Sequence, residues 1–122
     1  MDVIVSPSSD RPIYAQIAEQ IAAQILNGTL PAGSALPPIR TVARQLEVSV
    51  ITVKKAWEQL ERDGLIHAII GKGSFVAPQH ASSLANKRDE IALTRLRKDL
   101  VFYKGLGLTQ DELIELIRRT YG

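Results

Sequence analysis

From Ile13 onward an apolar residue recurs at every fourth position, Ile13, Ile17, Ile21 and Ile25, with Ala18 and Ala22 widening the stripe and Glu19, Gln20 and Gln24 lying off it. This spacing predicts an amphipathic helix of about four turns. Pro12 suits its first turn, and Gly28 after Asn27 suits its stop. Residues 29 to 38 hold three prolines and Gly33, which forbids regular helix and reads as a loop. A short helix is expected from Pro38 or Ile39 to Leu46, with Ile39, Val42, Ala43 and Leu46 on one face and Arg40 and Arg44 on the other.

Glu47 and Val48 interrupt the helical pattern, and Ser49 is a good N-cap. Val48 and Val53 stand at the two positions of a hydrophobic staple. A second helix is therefore expected from Ser49, buried along Val53, Ala56, Trp57 and Leu60 and ending at Asp63 and Gly64. Two helices joined by a tight turn make a helix-turn-helix. Residues 65 to 70 and 74 to 77 then read as two strands around a turn of Gly71, Lys72 and Gly73, that is, a β-hairpin.

Beyond Pro78 the chain turns polar, with Gln79, His80, Ser82 and Ser83 read as a linker or helix start. A long helix is expected from about Ser83 to Lys104, with Leu93, Leu96, Leu100 and Tyr103 at heptad spacing. After a break at residues 105 to 107, Thr109 and Glu112 have capping-box spacing and Leu108 and Leu113 staple spacing, which starts a last helix presenting Leu113, Leu116 and Ile117. Two short amphipathic helices cannot bury their stripes alone, whereas pairing with the same hairpin of a second chain would. The expected fold is mostly α with a small β-hairpin: a winged helix-turn-helix domain over residues 1–77, then a linker and two-helix dimerisation tail over residues 78–122.

Composition narrows the function classes. The 122 residues leave little room for an enzyme, and no serine, carboxylate pair or histidine sits in a nucleophile or acid/base setting. Cysteine is absent, and neither His67 nor His80 has a carboxylate at ligand spacing, so neither metal nor cofactor is expected. The glycine-lysine-glycine turn is no phosphate-cradling loop, because the first glycine of that motif is missing and strand follows where helix is needed. No apolar run approaches a membrane span and the N-terminus lacks a basic, apolar leader, so a cytoplasmic protein is expected. Net charge is +2, but residues 1–77 balance 7 Lys and Arg against 7 Asp and Glu, so any attraction to nucleic acid has to be local.

That local signal lies in the Ser49 helix. Lys54 and Lys55 occupy its N-terminal half, and Glu58, Glu61 and Asp63 its C-terminal half, the reverse of what the helix dipole favours. Such a helix suits a partner of dense negative charge at its N-terminal end, although Glu58 and Arg62 also have the spacing of an ordinary surface pair. Ser49, Val50, Ile51 and Thr52 fill the first turn, where base edges are reached. Thr52 can donate, accept or offer a methyl; Val50 reads as an apolar contact to a thymine methyl or sugar, and Ile51 as a prop of the turn against the core. Gly71 and Gly73 let backbone approach a groove, and Lys72 puts one charge there.

The stretches PIYAQI (residues 12 to 17), LPPIR (36 to 40), VSVITVKKA (48 to 56), LERDGL (60 to 65) and GKGSFV (71 to 76) together resemble the GntR family of bacterial regulators. The tail LGLTQDELIELI (106 to 117) is similar to the YtrA-type branch, whose C-terminal part is two dimerising helices. The resemblance implies a homodimer on an operator palindrome in double-stranded DNA, typically a repressor, and it matches Arg40, Thr52, Lys54 and residues 71 to 73 to the family's DNA-contacting positions. Val50 and Ile70 depart from it, since arginine is frequent there. A small-molecule effector of unknown identity would act from between the wing domain and the tail, by shifting the spacing of the recognition helices. The competing reading is a winged domain used for protein contacts, with the hairpin as its edge.

Overall fold

The computed structural model describes residues 1–78 and 81–122, so Gln79 and His80 of the expected linker lie outside the described residues. Residues 1–85 and 86–122 form two compact units. In the first, α1 (Ile13–Leu26), α2 (Ile39–Leu46) and α3 (Val50–Arg62) enclose a core closed on one side by an antiparallel hairpin of β1 (Ile66–Ile69) and β2 (Gly73–Val76). Ile17, Ile21, Val42, Val53, Leu60, Leu65 and Val76 are the largest side chains wholly removed from water. The fourfold isoleucine stripe of α1 thus packs as its period requires, with Pro12 one position earlier than expected, at the N-cap.

Helices α2 and α3 end in the same way. Val48 N donates to Ala43 O and Glu47 N to Arg44 O; Leu65 N donates to Leu60 O and Gly64 N to Glu61 O. Both are Schellman stops, closed by a residue in the left-handed region. Gly64 adopts it at φ 70°, as glycine does easily; Glu47 adopts it at φ 56° and is the only non-glycine with positive φ among the described residues.

Two features depart from the sequence reading. The loop between α1 and α2 is not wholly irregular: Gly33 N donates to Val76 O, Val76 N to Ser34 O and Leu36 N to Ser74 O, so residues 33 to 36 pair with the free edge of β2. The prolines around them contribute no donor, and the pairing uses the donors between. Residues 1 to 6 also have a fixed place. Three amides spaced a helical turn apart grip alternate residues of this extended segment, each through two hydrogen bonds: Gln24 holds Asp2, Gln20 holds Ile4 and Gln16 holds Ser6.

In the second unit, α4 (Ala81–Gly105) runs one residue past its expected end at Lys104 and stops where Gly107 reaches φ 85°. The last helix, α5 (Gln110–Thr120), starts on the expected capping box: Glu112 N donates to Thr109 Oγ1 at 3.2 Å and Thr109 N to Glu112 Oε1 at 3.0 Å. No residue of α5 is buried, and Leu93, Leu96, Val101, Phe102, Leu106, Leu116 and Ile117 are all exposed. Among the described residues no helix is long and apolar enough to cross a membrane.

Candidate nucleic-acid interface

The face of α3 that meets α1 and α2 carries Val53, Ala56, Trp57 and Leu60, all at most 3% exposed. At about 3.6 residues per turn this anchoring leaves Ile51, Lys54, Lys55, Glu58 and Arg62 on the outer side, and each of them is exposed. Rotation of the helix is therefore fixed by its core, and the side offered to a partner is fixed with it.

Its N-terminal turn is tied down by Ser49, whose Oγ accepts from Thr52 N at 3.1 Å and lies 2.8 Å from Thr52 Oγ1. Capping residue and candidate base reader thus share one hydrogen bond. When Ser49 Oγ–H donates in that bond, the Thr52 hydroxyl proton is left to donate outward. No acidic residue lies in this first turn. Lys55 does not hang free: its Nζ sits 4.0 Å from the centroid of the Tyr14 ring, at the start of α1. This cation–π contact holds a positive charge between α3 and the beginning of α1. Arg40 and Arg44, one turn apart on α2, are exposed as expected.

Two expectations for α3 are corrected. Ile51 does not prop the turn against the core: it is 78% exposed, because the core face begins at Val53 and Ile51 lies opposite it. Arg62 does not pair with Glu58; its Nη2 donates to Gln59 Oε1 at 2.7 Å.

The hairpin pairs Ile66 with Val76, His67 with Phe75, Ala68 with Ser74 and Ile69 with Gly73. Its turn is therefore Ile70, Gly71 and Lys72, one residue earlier than the glycine-lysine-glycine reading, with Gly73 already paired in β2. Lys72 N donates to Ile69 O at 2.9 Å, and Gly71 takes φ 77°, a left-handed turn position that glycine fills without strain. Lys72 and Ile70 stand out at the tip, and Ile70 is fully exposed. His67 lies beside Phe75, ring centroids 6.3 Å apart.

An outward helix face bearing two cations, a capped first turn and an adjoining hairpin together form a winged helix-turn-helix surface. The model of the bacterial regulatory proteins of the gntR family matches residues 13–76, just over half of the chain and all of these elements. This chain belongs to the GntR family. It is a transcriptional regulator whose winged helix-turn-helix is the DNA-binding element. The HTH-type transcriptional repressor YtrA of Bacillus subtilis is 28% identical over 114 residues, covering 93% of this chain and 88% of YtrA. A GntR family transcriptional regulator from Listeria monocytogenes superposes with a TM-score of 0.70 at 26% identity, over 93% of this chain and 98% of that one. The DNA-binding domain of AraR, solved in complex with its operator ORR3, superposes with a TM-score of 0.53 at 30% identity, over 63% of this chain and 93% of that one.

Tyr14 and Ile51 were not singled out by the sequence for this surface. Tyr14 falls in the amphipathic register of α1, where nothing local marks it as the partner of a lysine on another helix. Ile51 was recoverable, since a helical wheel drawn on Val53, Ala56, Trp57 and Leu60 puts it outside.

Proposed function

We propose that this GntR-family regulator is a homodimeric repressor that inserts α3 of each protomer into successive major grooves of a palindromic operator, in the cytoplasm. The outward face of α3, with Thr52 held by the Ser49 cap and Lys54 and Lys55 beside it, is the observation that carries the reading. In it Thr52 and Val50 meet base edges, while Ser49, Arg40, Arg44, Lys54 and Lys55 meet phosphates. Lys72, with backbone at Gly71 and Gly73, lets the wing follow the neighbouring groove.

Dimerisation is assigned to residues 86–122. Leu93, Leu96, Leu116 and Ile117 are exposed, and Leu100, Tyr103 and Leu113 are only half-buried, a density of apolar surface that favours a self-complementary contact. Two-fold pairing through these residues would set the recognition helices about one DNA turn apart, roughly 10 base pairs.

The test is a salt titration of binding to the DNA upstream of the protein's own gene. Lys54→Ala and Lys72→Ala are expected to weaken binding to every duplex and to reduce the dependence on salt concentration, by a log–log slope of about 2 when one phosphate contact is lost per protomer. Thr52→Ala is expected to relax preference at one operator position per half-site and to leave that slope intact. Binding that is indifferent to all three substitutions would leave protein contact through the wing as the better reading.

A further inference from the structure

One exposed side chain on the recognition face has no role in the account above. Ile51 is 78% exposed in the first turn of α3, next to Val50 at 39%. Three polar side chains near it have local contacts, while Lys54 is exposed. Ser49 Oγ caps the helix, Thr52 Oγ1 is held 2.8 Å from it, and Lys55 is drawn aside onto the Tyr14 ring. On the helical wheel Ile51 lies between Lys54 and Lys55, diametrically across from Val53, Ala56, Trp57 and Leu60. Of the residues in that turn it stands furthest from the core.

A β-branched residue is a mediocre helix former, so exposure in a helix gives isoleucine no local advantage over a long polar side chain. Its chemistry also narrows what it can recognise. Isoleucine has neither donor nor acceptor, and the one apolar group on the major-groove edges of the four bases is the 5-methyl of thymine. Lys54, exposed on one side of Ile51, is free of the Tyr14 contact that holds Lys55.

We propose that Ile51 is a specificity-determining residue that packs its aliphatic end on a thymine methyl in each half-site. The inference rests on the reading of α3 as recognition helix and deepens it: one position of the operator is selected by apolar contact alone.

Duplexes selected from a randomised pool by the full chain are resynthesised with each thymine replaced in turn by deoxyuridine, which removes only the methyl. Affinities are measured for the unaltered protein, Ile51→Ala and Val50→Ala. At least one thymine per half-site is expected where deoxyuridine weakens the unaltered protein by about fourfold, the value of one buried methyl. At one such thymine Ile51→Ala should bind both duplexes equally, while Val50→Ala, whatever affinity it loses on both, keeps the ratio between them. Discrimination that survives Ile51→Ala at every thymine, that vanishes with Val50→Ala instead, or that exists at no thymine would overturn the assignment while leaving α3 as the recognition helix. A pool from which no duplex is enriched would remove the recognition-helix reading, and this inference with it.

Discussion

The side-chain amide of Gln20 closes a ring with the main chain of Ile4, accepting from Ile4 N at 2.9 Å and donating to Ile4 O at 2.6 Å. Gln16 and Gln24 repeat this with Ser6 and Asp2 because two periods coincide. Four helical residues rise about 6 Å, and two strand residues span about 6.6 Å. An extended segment running against α1 therefore meets an amide at every second residue. Gln20→Ala removes the central pair of bonds and should lower stability by about 1 kcal/mol, given how much water reaches them. Gln20→Glu should do the same, since a carboxylate cannot donate to Ile4 O. Denaturant unfolding gives the stability, and hydrogen exchange at the Ile4 amide should accelerate in both variants.

The turn of the helix-turn-helix contains a second testable relationship. Glu47 sits at φ 56° and ψ 45° in a stop whose counterpart after α3 uses Gly64. The left-handed conformation costs a non-glycine residue roughly 1 to 2 kcal/mol, against the extra chain entropy of about 0.5 to 1 kcal/mol that glycine forfeits on folding. Glu47→Gly should thus raise stability by up to about 1 kcal/mol, as a shift in the denaturation midpoint with an unchanged slope. A fall in the midpoint would mean that the Glu47 side chain contributes more than its strain.

The Tyr14–Lys55 contact predicts a coupling on DNA. Tyr14→Leu frees the lysine to swing and should weaken operator binding about twofold to fivefold per half-site, following the 0.5 to 1 kcal/mol of an exposed cation–π pair. Tyr14→Phe keeps the ring and should bind as the unaltered protein does. In a Lys55→Ala background the two Tyr14 variants should become equivalent, which a double-mutant cycle measures directly.

These relationships also mark how far the sequence could be read. Helices α1, α2 and α3 begin and end, and α5 begins, within a residue or two of where their stripes, caps and glycines put them, because each signal lies within one turn of the residue it controls. What escaped depends on distant partners. Nothing near Gln16, Gln20 and Gln24 reveals that an extended N-terminal segment lies along them, and the prolines around Gly33 and Leu36 conceal donors that pair with β2. At the wing, two glycines looked equivalent. Only Gly71 fills the turn, while Gly73, at φ 105°, is the first residue of a strand. The cap at Ser49 and the outward placing of Lys54 and Lys55 were legible, since capping and amphipathicity are local. Tyr14 was not, because its role comes from the packing of α1 on α3.

The capping box of α5 sets a pH dependence whose sign can be worked out. The main-chain N–H of Thr109, and then the Thr109 side chain, hold the Glu112 carboxyl below its ordinary value of 4.5. A carboxylate with a depressed folded value stabilises its helix above the unfolded value and loses that contribution as pH falls through the folded one. The start of α5 should therefore be firm at neutral pH and fray as the pH falls below the ordinary carboxyl value of 4.5. Glu112→Gln preserves an acceptor for Thr109 N without a titratable group, so its helix start should be weaker at neutral pH but flat across the same range. Exchange protection at Thr109 N, followed by NMR through the titration, reports this bond separately from global unfolding. Equal acid sensitivity in both proteins would place the titrating group elsewhere.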